Sequence, residues 1–442
     1  MSAVSKPLST SRERWAWYLY DFANSSYAAV VLLAVYSAYF KNEVVGGAEG
    51  SRLWGLSISV AMIVVAVLSP IFGAIADFSA SKKRFLFIFT SIACAFTSLL
   101  FFVQKGDILM GMVFFILAEI GYRSAQVFYN ALLTEIAAPA EIGRISGTGW
   151  AIGSAGGVVI LLIILPLIVF IKGAFIVRVS LVITGLFFAV FAVPIFLWLR
   201  ERGTAQPLPA GDTYFSMALH QLQRTIRTAR QFREFLKFML AVLLYDDGII
   251  MALDFAAIIG AVLFGMNQTM LIVFVIIVQV TNVVGAYIFG ILADRYGCKR
   301  TLTLSIIMMI LIVIALYFNQ TQAGFLVIGA FAGIAMAGVQ SVSRTMVGVL
   351  TPAAQSGEFY GFFSIVGRTS SFIGPAVYGW LAAEAALWYE RQGVAVTSAE
   401  QMGQRIAILS IAVFLAAGLF VLRFVNEAVS YTHLTLPTSD LV

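Results

Sequence analysis

Glu119 and Arg123 stand four residues apart in a run that is otherwise apolar. On an α-helix that spacing puts both side chains on one face, where they can pair. An ionised side chain near the centre of a bilayer costs about 2.5–3.5 kcal/mol on insertion scales, so it turns toward a partner or an aqueous cavity. Such a pair either changes protonation as the protein changes shape or serves as a permanent packing pair, and both readings stay open. Asp21, Asn24, Asp246, Asp247, Asp254, Gln340 and Arg344 also lie in apolar runs. Asp246 and Asp247 are adjacent and point about 100° apart on a helix, so one can face a solute while the other bonds a neighbouring helix. Asp254 returns to the face of Asp247. Asp21 is either a site residue or a residue near the headgroups at the start of its helix.

Other chemistry is excluded by what is missing. The histidines are His220 and His433 and the cysteines Cys94 and Cys298, with no metal-ligand spacing, so no metal centre or cofactor is expected. There is no Gly-rich phosphate loop ending in Gly-Lys-Ser/Thr, which excludes direct drive by ATP. No nucleophile–base pair lies in an apolar run, which speaks against an enzyme. A proton relay therefore falls to carboxylates, with Glu119 the first choice and Asp247 the second.

The elements that hold these residues are apolar runs in lipid. Of 442 residues 61% are hydrophobic and 11% charged, where a soluble domain carries roughly 25% charged residues. A membrane-spanning helix needs about 20 apolar residues. The runs predict helices near 16–40, 54–76, 85–103, 108–131, 148–171, 175–198, 236–263, 269–293, 301–318, 323–347, 358–385 and 405–427. An all-α membrane protein of twelve transmembrane helices follows, since lipid forces backbone groups to bond within each segment.

The expected organisation is an N-terminal tail (1–14), a six-helix bundle (15–198), a linker (199–235), a second six-helix bundle (236–428) and a tail (429–442). Residues 1–14 are polar and show no cleavable signal. Most Lys and Arg fall in the N-terminal tail, the even-numbered loops and the C-terminal end, which puts both termini in the cytoplasm. From the linker onward Phe215, Leu219, Leu222, Ile226, Ala229, Phe232 and Leu236 recur at three- and four-residue steps while Arg224, Arg227, Arg230 and Arg233 take other faces, the pattern of an amphipathic helix on an anionic leaflet. A solvated basic linker is the alternative. Residues 429–442 lack helical periodicity and resemble translated adapter DNA, so a non-native tail is expected there. Trp15, Trp17 and Trp54 stand near helix ends, where interfacial belts place Trp. Gly149, Gly153, Gly156 and Gly157 offer a small face for close helix packing.

The chain repeats itself. Gly73-Ala-Ile-Ala-Asp77 followed by Lys82-Lys83-Arg84 is echoed by Gly290-Ile-Leu-Ala-Asp294-Arg295, with Lys299 and Arg300 after it. Pro139, Gly147 and Gly153 are echoed by Pro352, Gly361 and Gly367 at nearly the same offset. Two six-helix parallel repeats are the architecture of a transporter whose halves rock about a central site. These Gly-x-x-x-Asp-x-x-x-x-Lys/Arg loops resemble the cytoplasmic signature of the major facilitator superfamily, with Phe78-Ser-Ala-Ser81 departing from it in the first copy.

The resemblance implies the major facilitator fold, alternating access, and a cavity lined by the first helix of each three-helix unit. Asp77, Lys82, Arg84, Asp294, Arg295, Lys299 and Arg300 would then latch one conformation, against the plainer reading that they mark topology. A narrower resemblance is carried by Trp15-Ala-Trp-Tyr-Leu-Tyr-Asp21-Phe-Ala-Asn24, Phe128-Tyr-Asn130-Ala-Leu-Leu-Thr-Glu135, Gly147-Thr-Gly-Trp150 and Tyr245-Asp-Asp247-Gly248. These motifs are similar to those of the fungal vacuolar amino-acid effluxers linked to autophagy and their bacterial relatives, some of which carry Asn where Asp246 stands.

The expectation is a monomeric secondary transporter of a small-molecule substrate in a lipid bilayer, the bacterial inner membrane. The resemblance points to amino acids and proton-coupled efflux, through Asp21, Asn24, Glu119, Arg123, Asn130, Asp246, Asp247 and Asp254. No nucleic-acid partner is expected. The alternatives are a carrier of another polar metabolite such as a sugar or peptide, a channel and, in another class, an integral membrane enzyme.

Overall fold

The computed structural model describes residues 9–137, 142–202, 232–350, 363, 366–367 and 372–427. The expected linker helix and the tail from 429 lie outside the described residues, the linker apart from its two ends. Among the described residues the secondary structure is helical and no strand occurs. Among the described residues ten helices are long and apolar enough to cross a membrane, eleven if one bent pair counts as a span.

In chain order the elements are α1 (Ser11–Val45), α2 (Gly47–Ser79), α3 (Lys82–Leu99), α4 (Ile108–Ala131), α5 (Ile142–Ile171), α6 (Ala174–Trp198), the bent α7 (Arg233–Asp254 with Ala256–Phe264), α8 (Gln268–Tyr296), α9 (Cys298–Phe318), α10 (Gln322–Val349), α11 (Ile373–Arg391) and α12 (Val396–Arg423). The predicted spans are found, with shifted ends. α1 begins five residues earlier than expected because Thr10 caps it: its hydroxyl accepts from the Glu13 amide at 3.3 Å, and Glu13 reaches back to the Thr10 amide at 2.8 Å. α12 begins nine residues before its apolar core, over a polar first turn. The expected span 358–385 lies partly outside the described residues.

Two compact units are present. The first comprises 1–220 with 254–261 and 266–276, the second 221–253, 262–265 and 277–442. In the first, α1 is α-helical to Tyr27, widens into π turns over Ala28–Ala34 and Phe40–Val45, and stops at Gly46, whose φ of 77° needs a glycine. π turns in a helix mark places where regular packing gives way, often at a site. α5 lies against α1 through small residues. A Cβ at Gly149 would fall on the Trp17 ring, one at Gly153 on the Asp21 carboxylate, and one at Gly156 on the Phe22 carbonyl. The glycine face therefore serves the close helix approach its spacing suggested.

α7 bends by 52° between its two segments. A break frees backbone carbonyls that lipid cannot satisfy. Here the Trp54 indole donates to the Asp254 carbonyl at 2.9 Å, within the first unit. Trp54 is fully buried against Tyr36, Phe40 and Phe115. Trp17 is buried too, stacked on Tyr129 at 4.4 Å and donating to its carbonyl at 3.1 Å. The belt placement expected of both is thus corrected: each indole N–H has a buried carbonyl to satisfy. Trp15 is exposed.

Candidate functional site

The first unit holds a buried set of charges. Glu119 is completely buried on α4, and Arg123 one turn later donates from Nε to Glu119 Oε1 at 2.6 Å. The four-residue spacing does what a helix face dictates. Glu119 Oε2 is buried and takes no hydrogen bond. Tyr27, on α1 where the π turns begin, puts its hydroxyl against Glu119 and stacks its ring on Tyr122 at 4.5 Å. Arg123 also lies 5.4 Å from the centre of the Tyr122 ring. Asp254, 3% exposed, stands within electrostatic range of both Arg123 and Glu119, and its Oδ2 has no hydrogen-bond partner. Two carboxylates thus lie in the field of one guanidinium, whose ion pair is with Glu119.

The remaining candidates separate by place. Asp21 sits half-buried over Gly153, and Asn24 donates to its Oδ1 at 3.4 Å. Asn130, eleven residues beyond Glu119 on α4 and so about 16 Å along the axis, is exposed. It is not brought to the buried set. In the second unit Asp247 is fully buried and accepts from the Gly374 amide at 3.0 Å, near the start of α11. A carboxylate there meets the free N–H groups and positive end of a helix. The adjacent Asp246 is half-buried, with Oδ2 near Gly367. Tyr245 and Gly248 of the same motif bond Ser343 and pack on Ile411 and Leu415.

The candidate gating residues show a device that sequence reading missed. In the first unit Glu201, just past α6, caps the start of α3 with both oxygens, accepting from the amides of Lys82 at 2.7 Å and Lys83 at 3.2 Å. In the second unit Glu427, just past α12, does the same for Cys298 at 2.9 Å and Lys299 at 3.2 Å. Lys83 and Lys299 each return their ammonium to carbonyls at those helix ends. Glu13 on α1 accepts from the Arg200 amide, and Glu234 on α7 from the Asn426 amide. The signal was present in the matched positions of Glu201 and Glu427 after the sixth helix of each half.

Lys82 also pairs with Glu135 at 3.0 Å, and Arg202 with Glu13 at 2.9 Å. Arg84, Asp294, Arg295 and Arg300 are exposed, and Asp294 makes no ion pair among the described residues. Asp77 belongs to α2, but its side chain lies outside the described residues.

The profile of the vacuole effluxer Atg22-like family matches residues 53–386. The chain is 26% identical over 442 residues to an uncharacterized MFS-type transporter, YxiO of Bacillus subtilis (strain 168), covering 98% of each chain. It is 27% identical over 258 residues to autophagy-related protein 22-1 of Penicillium rubens, covering 53% of this chain and 44% of the fungal one. Among solved structures, a bacterial homolog to the human lysosomal transporter Spinster, inward-facing and unoccupied, matches at a TM-score of 0.72 and 15% identity, over 97% of this chain and 98% of that one. That last likeness bears on fold alone, and the fold is that of the major facilitator transporters. With three quarters of its length inside the family profile, the chain belongs to the vacuole effluxer Atg22-like family of membrane transporters.

Proposed function

We propose that this transporter moves amino acids out of the cytoplasm by alternating access, coupled to protons, in a bacterial cytoplasmic membrane. The observation that carries the reading is the buried set Glu119, Arg123 and Asp254, two acids on one base inside an apolar bundle. A zwitterion needs an anion for its ammonium and a cation or helix end for its carboxylate. The set offers both signs, and it carries one acid more than it can match, which a proton can balance. Asp247, the second choice for coupling, accepts from the Gly374 amide with one oxygen, whereas the set in the first unit carries the acid in excess of its base.

The test is transport by the purified chain in proteoliposomes. Labelled amino acids should exchange across the membrane, and an imposed pH gradient should drive their accumulation. If none of the twenty exchanges while a sugar, nucleoside or peptide does, the substrate class is wrong; if amino acids exchange but ignore the gradient, the coupling is. Orientation is tested separately, since reporters fused after residue 82 or 215 should read cytoplasmic and after 104 or 320 periplasmic. For the loop holding Asp294, Arg295, Lys299 and Arg300 we propose a latch, so Asp294→Asn should slow exchange and expose cytoplasmic-side cysteines. Unchanged flux and accessibility would reduce that loop to a topology signal.

A further inference from the structure

We infer that Asp254 is the carboxylate that exchanges a proton for the primary ammonium of the solute, in a pocket completed by Glu119 Oε2 and the Tyr27 hydroxyl. The inference deepens the amino-acid reading and borrows from it only the identity of the solute, not the presence of a cation site.

Three oxygens carry the argument. Glu119 Oε2, Asp254 Oδ2 and the Tyr27 hydroxyl are buried and lack hydrogen bonds. The Tyr27 hydroxyl lies against Glu119, and a buried acceptor left without a donor costs about 1–3 kcal/mol. An ammonium brings three donors, the complement of that set. Glu119 already has its countercharge, because Arg123 holds its other oxygen at 2.6 Å. Asp254 is the acid without one.

Asp254 sits at the break in α7, between the segments Arg233–Asp254 and Ala256–Phe264, where the negative end of one helix meets the positive end of the next and the two fields largely offset. In the empty site the balancing cation is a proton on the Asp254 carboxyl. When an alkylammonium enters, that proton passes to water and the carboxylate pairs with the ammonium, so net charge in the site is unchanged.

The other groups facing the pocket do not compete for this role. From α4 come Tyr122 and Arg123, and from α1, beyond Tyr122, comes Asp21. α2 presents the Trp54 indole, already donating to the Asp254 carbonyl. Cys94 of α3 couples to Tyr20 instead.

The experiment uses the full-length chain in detergent, weakly buffered with a pH indicator, titrated with 3-methylbutylamine or with the uncharged 3-methylbutanol. The amine should bind with release of a proton, and its affinity should fall as pH falls; the alcohol should release none. Asp254→Asn should melt at the native temperature or above, yet release no proton and lose the pH dependence. Asp254→Glu should keep both. Tyr27→Phe should weaken amine binding about tenfold, the scale of one hydrogen bond to a charged group, without touching the response to the alcohol.

Native protein that binds the amine without proton release overturns the inference, as does an Asp254→Asn variant that still releases a proton. If Asp254→Asn does not fold, an unaltered amine affinity in Tyr27→Phe overturns it. Amine binding with proton release, but no exchange of any amino acid, would leave the cation site standing and remove the amino-acid reading. Amino-acid exchange with native pH dependence in Asp254→Asn would do the opposite.

Discussion

Carboxylates occur in two settings in this chain, and the settings treat them differently. At the helix ends Glu13, Glu201 and Glu427 use both oxygens on backbone amides or cations. In the buried set Glu119 and Asp254 each keep an oxygen with nothing bonded to it. The first arrangement is what holds a bundle together. A fully satisfied carboxylate has no capacity left for a ligand, and removing it costs structure. An orphaned one contributes little to structure, so its presence in an apolar bundle points to something that comes and goes. Charge count draws the same line: Glu13 is paired with Arg202 and Glu135 with Lys82, whereas the buried set has one acid too many.

The largest effect should come from removing the one base in the buried set. Arg123→Ala leaves Glu119 fully buried without its countercharge, a loss of about 3–5 kcal/mol for a broken buried pair. The melting temperature should fall sharply. In the double variant Glu119→Gln with Arg123→Gln most of the stability should return while pH-driven transport does not. If the single variant melts like the native protein, the pair is solvated and the contrast with the helix-end carboxylates collapses.

A smaller loss is expected at the α1–α5 junction that carries Tyr27 and Asp21. A methyl at Gly156 would overlap the Phe22 carbonyl oxygen, a backbone atom that cannot swing aside. Gly156→Ala must therefore push the helices apart, at about 1–3 kcal/mol for overpacking. Because α1 also positions Tyr27, amine affinity should fall with it. Stability lost without any change in affinity would mean that the cation pocket does not depend on α1.

How far the sequence already disclosed these two settings depends on separation along the chain. Glu119 and Arg123 could be paired from their spacing alone, because helix geometry fixes which residues share a face. The divergence of Asp246 and Asp247 was legible for the same reason, and Asp247 does bond a neighbouring helix. The spans followed from apolar length. Asp254 entering the field of Glu119 could not be read, since the approach of distant helices depends on the bend in α7 and on Trp54 taking up the carbonyl it frees. The helix-end carboxylates were hidden behind Asp77 and Asp294, whose match to a known motif drew attention away from Glu201 and Glu427. Burial of Trp17 and Trp54 was missed because a position near a helix end says nothing of the face a side chain occupies.

The smallest effect, and the most discriminating for the helix-end carboxylates, belongs to Glu201→Gln and Glu427→Gln. Each glutamate binds two consecutive amides at the start of a helix, Lys82 with Lys83 and Cys298 with Lys299. A glutamine keeps one acceptor oxygen of the two and gives up the charge that complements the helix end. Caps of this kind are worth about 0.5–2 kcal/mol, and the charge about 0.3–1 kcal/mol at a solvent-exposed end. Each variant should therefore lower the melting temperature slightly, and by similar amounts, since the two units build the same contact. High salt should shrink the difference between native and variant, because the charge part is screened while the lost acceptor is not. Neither should alter proton release on amine binding or the pH dependence of exchange. A variant that melts normally but loses its response to a pH gradient would move Glu201 or Glu427 from fixed cap to moving part, and the division between satisfied and orphaned carboxylates would no longer separate structure from transport.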